Sequence, residues 1–174
     1  MPYVNAALAD ATACKNLADS LIKSSVTPYH SASLITFVLT NAGGGPDSQK
    51  TASQTSETIF TGSEIYVRIG SGKWRQVQAP LDELKKLVQK NAESFTDCER
   101  LNDESRNGVA TEVYTGHAVT PNIIIAMQVA VAKGRGLPVE TITDIIQRSA
   151  KDQQSRHVTI KYDYEKIAPP IEKP

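Results

Sequence analysis

The stretch Ile123-Ile124-Ile125-Ala126-Met127-Gln128-Val129-Ala130-Val131-Ala132 decides the fold. Read with a period of two, Ile123, Ile125, Met127, Val129 and Val131 form one face, and Ile124, Ala126, Gln128, Ala130 and Ala132 the other. That is a long β-strand, apolar on both sides. Its longest strictly apolar run, Ile123 to Met127, is far short of a membrane span. Before it, Val109, Thr111, Val113 and Thr115 oppose Ala110, Glu112 and Tyr114. After it, Gly134-Arg135-Gly136-Leu137-Pro138 reverses the chain. Val139 to Gln147 then alternates, Arg148 to Ser155 is polar, and Arg156 to Tyr164 places Val158, Ile160, Tyr162 and Tyr164 on one face. Connections this short require antiparallel neighbours, because a parallel pair needs a crossover of about a dozen residues.

The N-terminal half repeats the order without repeating the sequence. Ala6 to Lys23 is rich in Ala and Leu, with Cys14, Leu17, Ala18 and Leu21 at helical spacing, and Ser24, Ser25 and Pro28 end that helix. Strands follow at Ser33 to Thr40 and about Thr51 to Thr61, then a hairpin of Glu64 to Ile69 and Lys73 to Gln78 around Gly70-Ser71-Gly72. In this reading Trp74 packs in the hairpin with Ile65 and Val67. A second helix spans about Pro80 to Phe95, with Pro80 in its first turn, Asp82 and Glu83 complementing the dipole, and a stripe of Leu81, Leu84, Leu87, Val88, Ala92 and Phe95. Asn102 to Gly108 reads as a polar turn. The expected order is helix, four strands, helix, four strands.

The 174 residues suffice for one domain with a real core. Nineteen basic residues balance nineteen acidic ones, so no global field gathers nucleic acid or an anionic membrane. The two cysteines, Cys14 and Cys98, suggest a bridge by their even count, although two buried thiols in a cytosolic protein would look the same. Met1-Pro2-Tyr3-Val4-Asn5 contains no basic region followed by an apolar core, so no signal peptide is read there.

The sequence offers little catalytic chemistry. His30, His117 and His157 stand in no metal-type spacing. Ser20-Leu21-Ile22-Lys23 has the Ser-x-x-Lys spacing of penicillin-recognising enzymes without their accompanying elements, and reads as chance. Gly43-Gly44-Gly45 opens no helix and reads as a hairpin loop rather than a phosphate cradle. No enzyme activity and no cofactor are expected.

The positive feature is an excess of apolar strand faces over helices to cover them. Ile35, Phe37, Leu39, Ile65, Val67, Ile125, Met127 and Val129 share one alternation phase within each strand, with Leu84 and Val88 as a helical lid. Such a face is either core or the wall of a hydrophobic cavity, and periodicity does not separate the two.

Three pieces carry a family resemblance. Glu64-Ile65-Tyr66-Val67-Arg68-Ile69-Gly70-Ser71-Gly72-Lys73-Trp74 is similar to a strand, Gly turn and Trp-bearing return strand. Gly108 to Tyr114, followed by the long strand and Lys133-Gly134-Arg135-Gly136-Leu137-Pro138, is similar to a strand pair with a Gly-Leu-Pro turn. Tyr162 to Pro170 is similar to a closing strand with a proline exit. Together they resemble the LolA/LolB-like superfamily of periplasmic lipoprotein carriers. The resemblance implies an α+β fold: a curved antiparallel sheet, an open half-barrel of about eight strands, with two main helices on its concave face. It implies a single LolA-like domain over 1–174, flexible at 1–5 and 168–174. Export to the periplasm or anchoring at the bacterial outer membrane is implied with it, and export in turn favours a Cys14–Cys98 disulfide. The expected partner is a lipid, acyl chain or other hydrophobic small molecule held by a monomer without a transmembrane span, with envelope proteins as further partners. The alternative is an envelope lipoprotein with a structural or interaction role and no ligand cavity.

Overall fold

The Asp10 side chain accepts a hydrogen bond from the Thr12 amide at 2.9 Å and so starts helix α1, Ala11–Ser24. The chain then leaves through Ser25 and Pro28 into β1, Tyr29–Asn41. In this computed structural model residues 10–41, 49–148 and 152–170 are described. The expected start of the first helix, the loop expected at Gly43-Gly44-Gly45, and the termini 1–5 and 171–174 lie outside them. The remaining elements are β2 (Gln49–Phe60), β3 (Ile65–Ile69), β4 (Arg75–Val77), α2 (Leu81–Ala92), β5 (Thr96–Arg100), β6 (Glu104–Arg106), β7 (Val109–Val119), β8 (Ile123–Ala132), β9 (Pro138–Arg148) and β10 (Asp152–Asp163).

All ten strands join one antiparallel sheet in the order β4-β3-β2-β1-β10-β9-β8-β7-β5, with β6 also on β7. The sheet does not close, and the first and last long strands pair at its centre. Ten strands replace the expected eight or so. The two additions, β5 and β6, hide in sequence because each is short and lacks alternation: Cys98 is the lone buried residue of β5, set among charges.

Register explains why β8 is apolar on both sides. Its odd residues face the helices, where Val129 and Val131 pack against Leu17 and Tyr114. On its even side Ala130 and Ala132 pack with Val113 and Val139, next to Leu101 from the segment between β5 and β6. Arg106 of β6 anchors that segment across the outer face by an ion pair to Glu140 of β9 at 3.0 Å.

The hairpin of β3 and β4 departs from expectation at one residue. Ile65 and Val67 face the helices, but Trp74 lies on the opposite side, its ring 4.8 Å from the Arg68 guanidinium carbon and 6.4 Å from the His30 ring. Strand β4 begins only at Arg75, so Trp74 sits in the turn and is free of the strand alternation that the sequence reading assumed.

Candidate functional site: a cavity between the second helix and the sheet

The two helices meet the sheet differently. Helix α1 docks directly on β5, β7 and β9. Its fully buried Leu17 contributes to a core with Phe95, Tyr114, Val129 and Val131. The Cys14–Cys98 disulfide ties α1 to β5, with the Cα atoms 5.0 Å apart. Gly116 on β7 makes room for this joint: a Cβ there would stand 3.1 Å from Cys98 Sγ, 3.2 Å from Leu17 Cδ1 and 3.3 Å from Phe95 Cδ1.

Helix α2 packs on α1 and makes few close contacts with the strands. The gap beneath it is a cavity of about 690 Å³. Leu81, Leu84, Lys85 and Val88 close it from the helix, while Ile123, Ile125 and Met127 of β8 and Thr143 and Ile145 of β9 form its floor. Tyr29, Phe60, Ile65 and Tyr162 line it from β1, β2, β3 and β10. The helical stripe at 81, 84, 85 and 88 follows the 3.6-residue period, so one face of α2 is spent entirely on the cavity.

The polar atoms in this wall are mostly committed. Ser24 and Ser25 donate their hydroxyls to the carbonyls of Leu21 and Ile22 in their own helix. Burial, reinforced by the neighbouring Tyr162, pushes the Tyr29 phenol up to about 12. Burial likewise raises the Tyr162 and Tyr164 phenols, and Tyr164 donates its hydroxyl to the Pro138 carbonyl at 2.9 Å. The tyrosines are therefore neutral at physiological pH, and Lys85 is the sole charged residue in the wall among the described residues.

Of the residues expected from sequence to face a ligand, Ile65, Leu84, Val88, Ile125 and Met127 line the cavity. Val129 shares their face but is sealed in the core under α1. The register places Ile35, Phe37, Leu39 and Val67 on the same concave face, beyond the cavity wall: Ile35 pairs with Val158, Val158 with Thr143 and Thr143 with Met127. Sequence reasoning missed Tyr29, Phe60 and Tyr162. Alternation phase could have found Tyr162, which is in step with Val158 and Ile160.

Ser20, Lys23, His30 and His157 are held by structural partners. Ser20 is buried and donates to the Leu17 carbonyl at 2.8 Å, while the Lys23 ammonium bonds the Arg135 carbonyl. His30 pairs with Glu57 at 3.1 Å and His157 with Asp144 at 2.7 Å, both on the outer face. Glu57 also bonds Arg68, which together with His30 holds its carboxyl below the usual carboxylate range. Among the described residues no three His, Cys, Asp or Glu side chains converge on a metal position.

No family model matches the chain, and no curated protein matches it. Among solved structures, it is similar to the Mycobacterium tuberculosis lipoprotein LppX, at 14% identity over 94% of this chain and 98% of that one, with a TM-score of 0.46. It is similar also to LprF from Mycobacterium bovis, at 11% identity over 96% and 98% of the two chains, TM-score 0.42. A third likeness is a putative outer membrane lipoprotein-sorting protein domain from Vibrio parahaemolyticus, at 10% identity over 88% and 94%, TM-score 0.30.

Proposed function

We propose that this chain is an exported, non-enzymatic protein that holds a lipid, an acyl chain or another hydrophobic ligand between α2 and the sheet, in the handling of lipids or lipoproteins in a bacterial envelope. The observation that carries this reading is the cavity of about 690 Å³ whose floor is aliphatic and whose roof is one face of α2. Ligand sites commonly occupy roughly 300–1,000 Å³. Each methylene moved from water into such a site contributes about 0.8 kcal/mol, so one medium-length chain gives useful affinity without any charge pairing. The Cys14–Cys98 bridge supports an oxidising compartment, which export supplies.

Native mass spectrometry of protein purified without detergent, together with titration of a fluorescent fatty acid, tests the proposal. The expected result is saturable binding at one site per chain, weakened by Met127→Asp or Val88→Asp. Absence of co-purified lipid together with absence of saturable binding overturns it in favour of an envelope lipoprotein whose α2 closes on the sheet.

A further inference from the structure

Across the strands from β3 to β8, charge is distributed unevenly between the two faces of the sheet, while on β5 and β7 the concave face carries the Arg100–Glu112 ion pair. The outer face carries both signs in pairs: Glu57 with Arg68 and His30, Asp144 with His157, and Glu140 with Arg106. On the concave face of β3, β2, β1, β10, β9 and β8, the register leaves two charged residues among the described side chains, and both are cations. Lys50 stands opposite Leu39, and Arg156 stands between Phe37 and Ile145. No described carboxylate pairs with either of them. For a chain of zero formal net charge this segregation is a feature of that part of the concave face, not of composition.

Arg156 adjoins the cavity. Its direct cross-strand partner, Ile145, is part of the cavity floor. Its guanidinium carbon lies 5.7 Å from the centre of the Phe37 ring, and one of its NH2 groups donates to the Gln154 side-chain carbonyl at 3.1 Å. Held this way, the guanidinium keeps further donors in the fixed fork that matches a carboxylate or phosphate. Lys85, the charged residue of the cavity wall itself, has the same sign.

We infer that the ligand is an anionic amphiphile, its hydrocarbon in the cavity and its anionic oxygen head on Arg156 at the rim, with Lys50 across β1 adding to the positive field. The inference rests on the binding function proposed above and narrows it to a class of ligand. A carboxylate and a phosphate head share the required chemistry. The hydrocarbon leaves the head over Ile145 and Ile125, which places the charge outside the apolar wall, where water completes its solvation.

Three probes with the same chain test it in calorimetric or fluorescence-competition titrations: dodecanoate, dodecyl phosphate and dodecanol. The wild-type protein is expected to bind an anionic probe roughly tenfold or more tightly than the alcohol, the scale of one charge-assisted hydrogen-bonded contact. Whichever anion binds tighter identifies the head as carboxylate or phosphate. The double variant Lys50→Gln/Arg156→Gln should abolish the preference and leave dodecanol affinity unchanged, and Arg156→Lys should retain part of it. Equal wild-type binding of alcohol and anions, or an undiminished preference in the double variant, overturns the inference while leaving a hydrophobic site standing. Failure of all three probes to bind overturns the site and the inference together.

Discussion

The concave face of the sheet has two halves with similar aliphatic composition and opposite outcomes. Under α1, Val129 and Val131 meet Leu17 and Tyr114 and are buried. Under α2, one step along the same strand, Ile125 and Met127 face an open cavity. The difference lies in what holds each helix down. Helix α1 is fastened by a disulfide, by Gly116 removing a side chain at the joint, and by Asn16 Nδ2 donating to the Tyr114 hydroxyl at 3.2 Å. Helix α2 has no such fastening to the floor and rests on its neighbour. A similar apolar face becomes core or cavity according to the anchoring of its lid.

The largest break in that comparison is the disulfide. It closes a loop with a sequence separation of 84, for which the chain-entropy model gives on the order of 4.5 kcal/mol. Replacing both cysteines by serine should lower the urea midpoint by a corresponding amount, and a loss below about 1 kcal/mol would show that α1 is held by packing alone. Next comes truncation on either side of the boundary. Leu17→Ala, at a fully buried site, should cost about 3 kcal/mol. Val88→Ala, on the cavity wall, should cost less than about 1 kcal/mol while weakening ligand binding. Equal losses from the two truncations would mean that α2 is as firmly seated as α1.

Gly116 gives a smaller and more local test. Valine there would push into Cys98, Leu17 and Phe95 together, an overpacking worth about 2 kcal/mol. Alanine should cost less, because contacts of 3.1 to 3.3 Å can be relieved by shifts of a few tenths of an ångström. Since Phe95 also borders the cavity, Gly116→Val is expected to alter ligand affinity, whereas the cysteine pair acts chiefly on stability.

Alternation made the concave phase legible, because β1, β3 and β8 each carry their aliphatic residues two apart and antiparallel pairing conserves that phase from strand to strand. It could not locate the boundary between core and cavity. Val129 and Met127 are equivalent in sequence terms, and only the placement of Leu17 above the first separates them. Nor could it reveal the inner role of Tyr29, which precedes the start of the strand as read from apolar residues, or the outward swing of Trp74. Polar-looking β5 escaped for a related reason, since its one inward residue is Cys98 and the bridge rather than a hydrophobic pattern defines it.

The smallest expected effect separates the halves through their tyrosines. Tyr114, under α1, accepts from Asn16 and donates to a Glu112 oxygen at 2.9 Å, so Tyr114→Phe leaves polar groups without a partner and should cost about 1 kcal/mol near neutral pH. Tyr29, in the cavity wall, has no hydrogen bond from its hydroxyl among the described residues, so Tyr29→Phe should change stability at pH 8 by less than about 0.5 kcal/mol. Its effect emerges in alkali. The folded phenol is raised to about 12 while that of the unfolded chain ionises near its ordinary value of 10.0. The stabilisation linked to the bound proton is therefore complete below the ordinary value and is lost as pH rises from there through the folded value. Wild-type protein should weaken over that window, and Tyr29→Phe should flatten the decline because it removes the group that the unfolded state prefers to ionise. Urea midpoints measured at pH 8 and pH 11 decide the matter. An unchanged alkaline slope in the variant would place the Tyr29 hydroxyl in water, outside the apolar wall, and would shorten the cavity at that end.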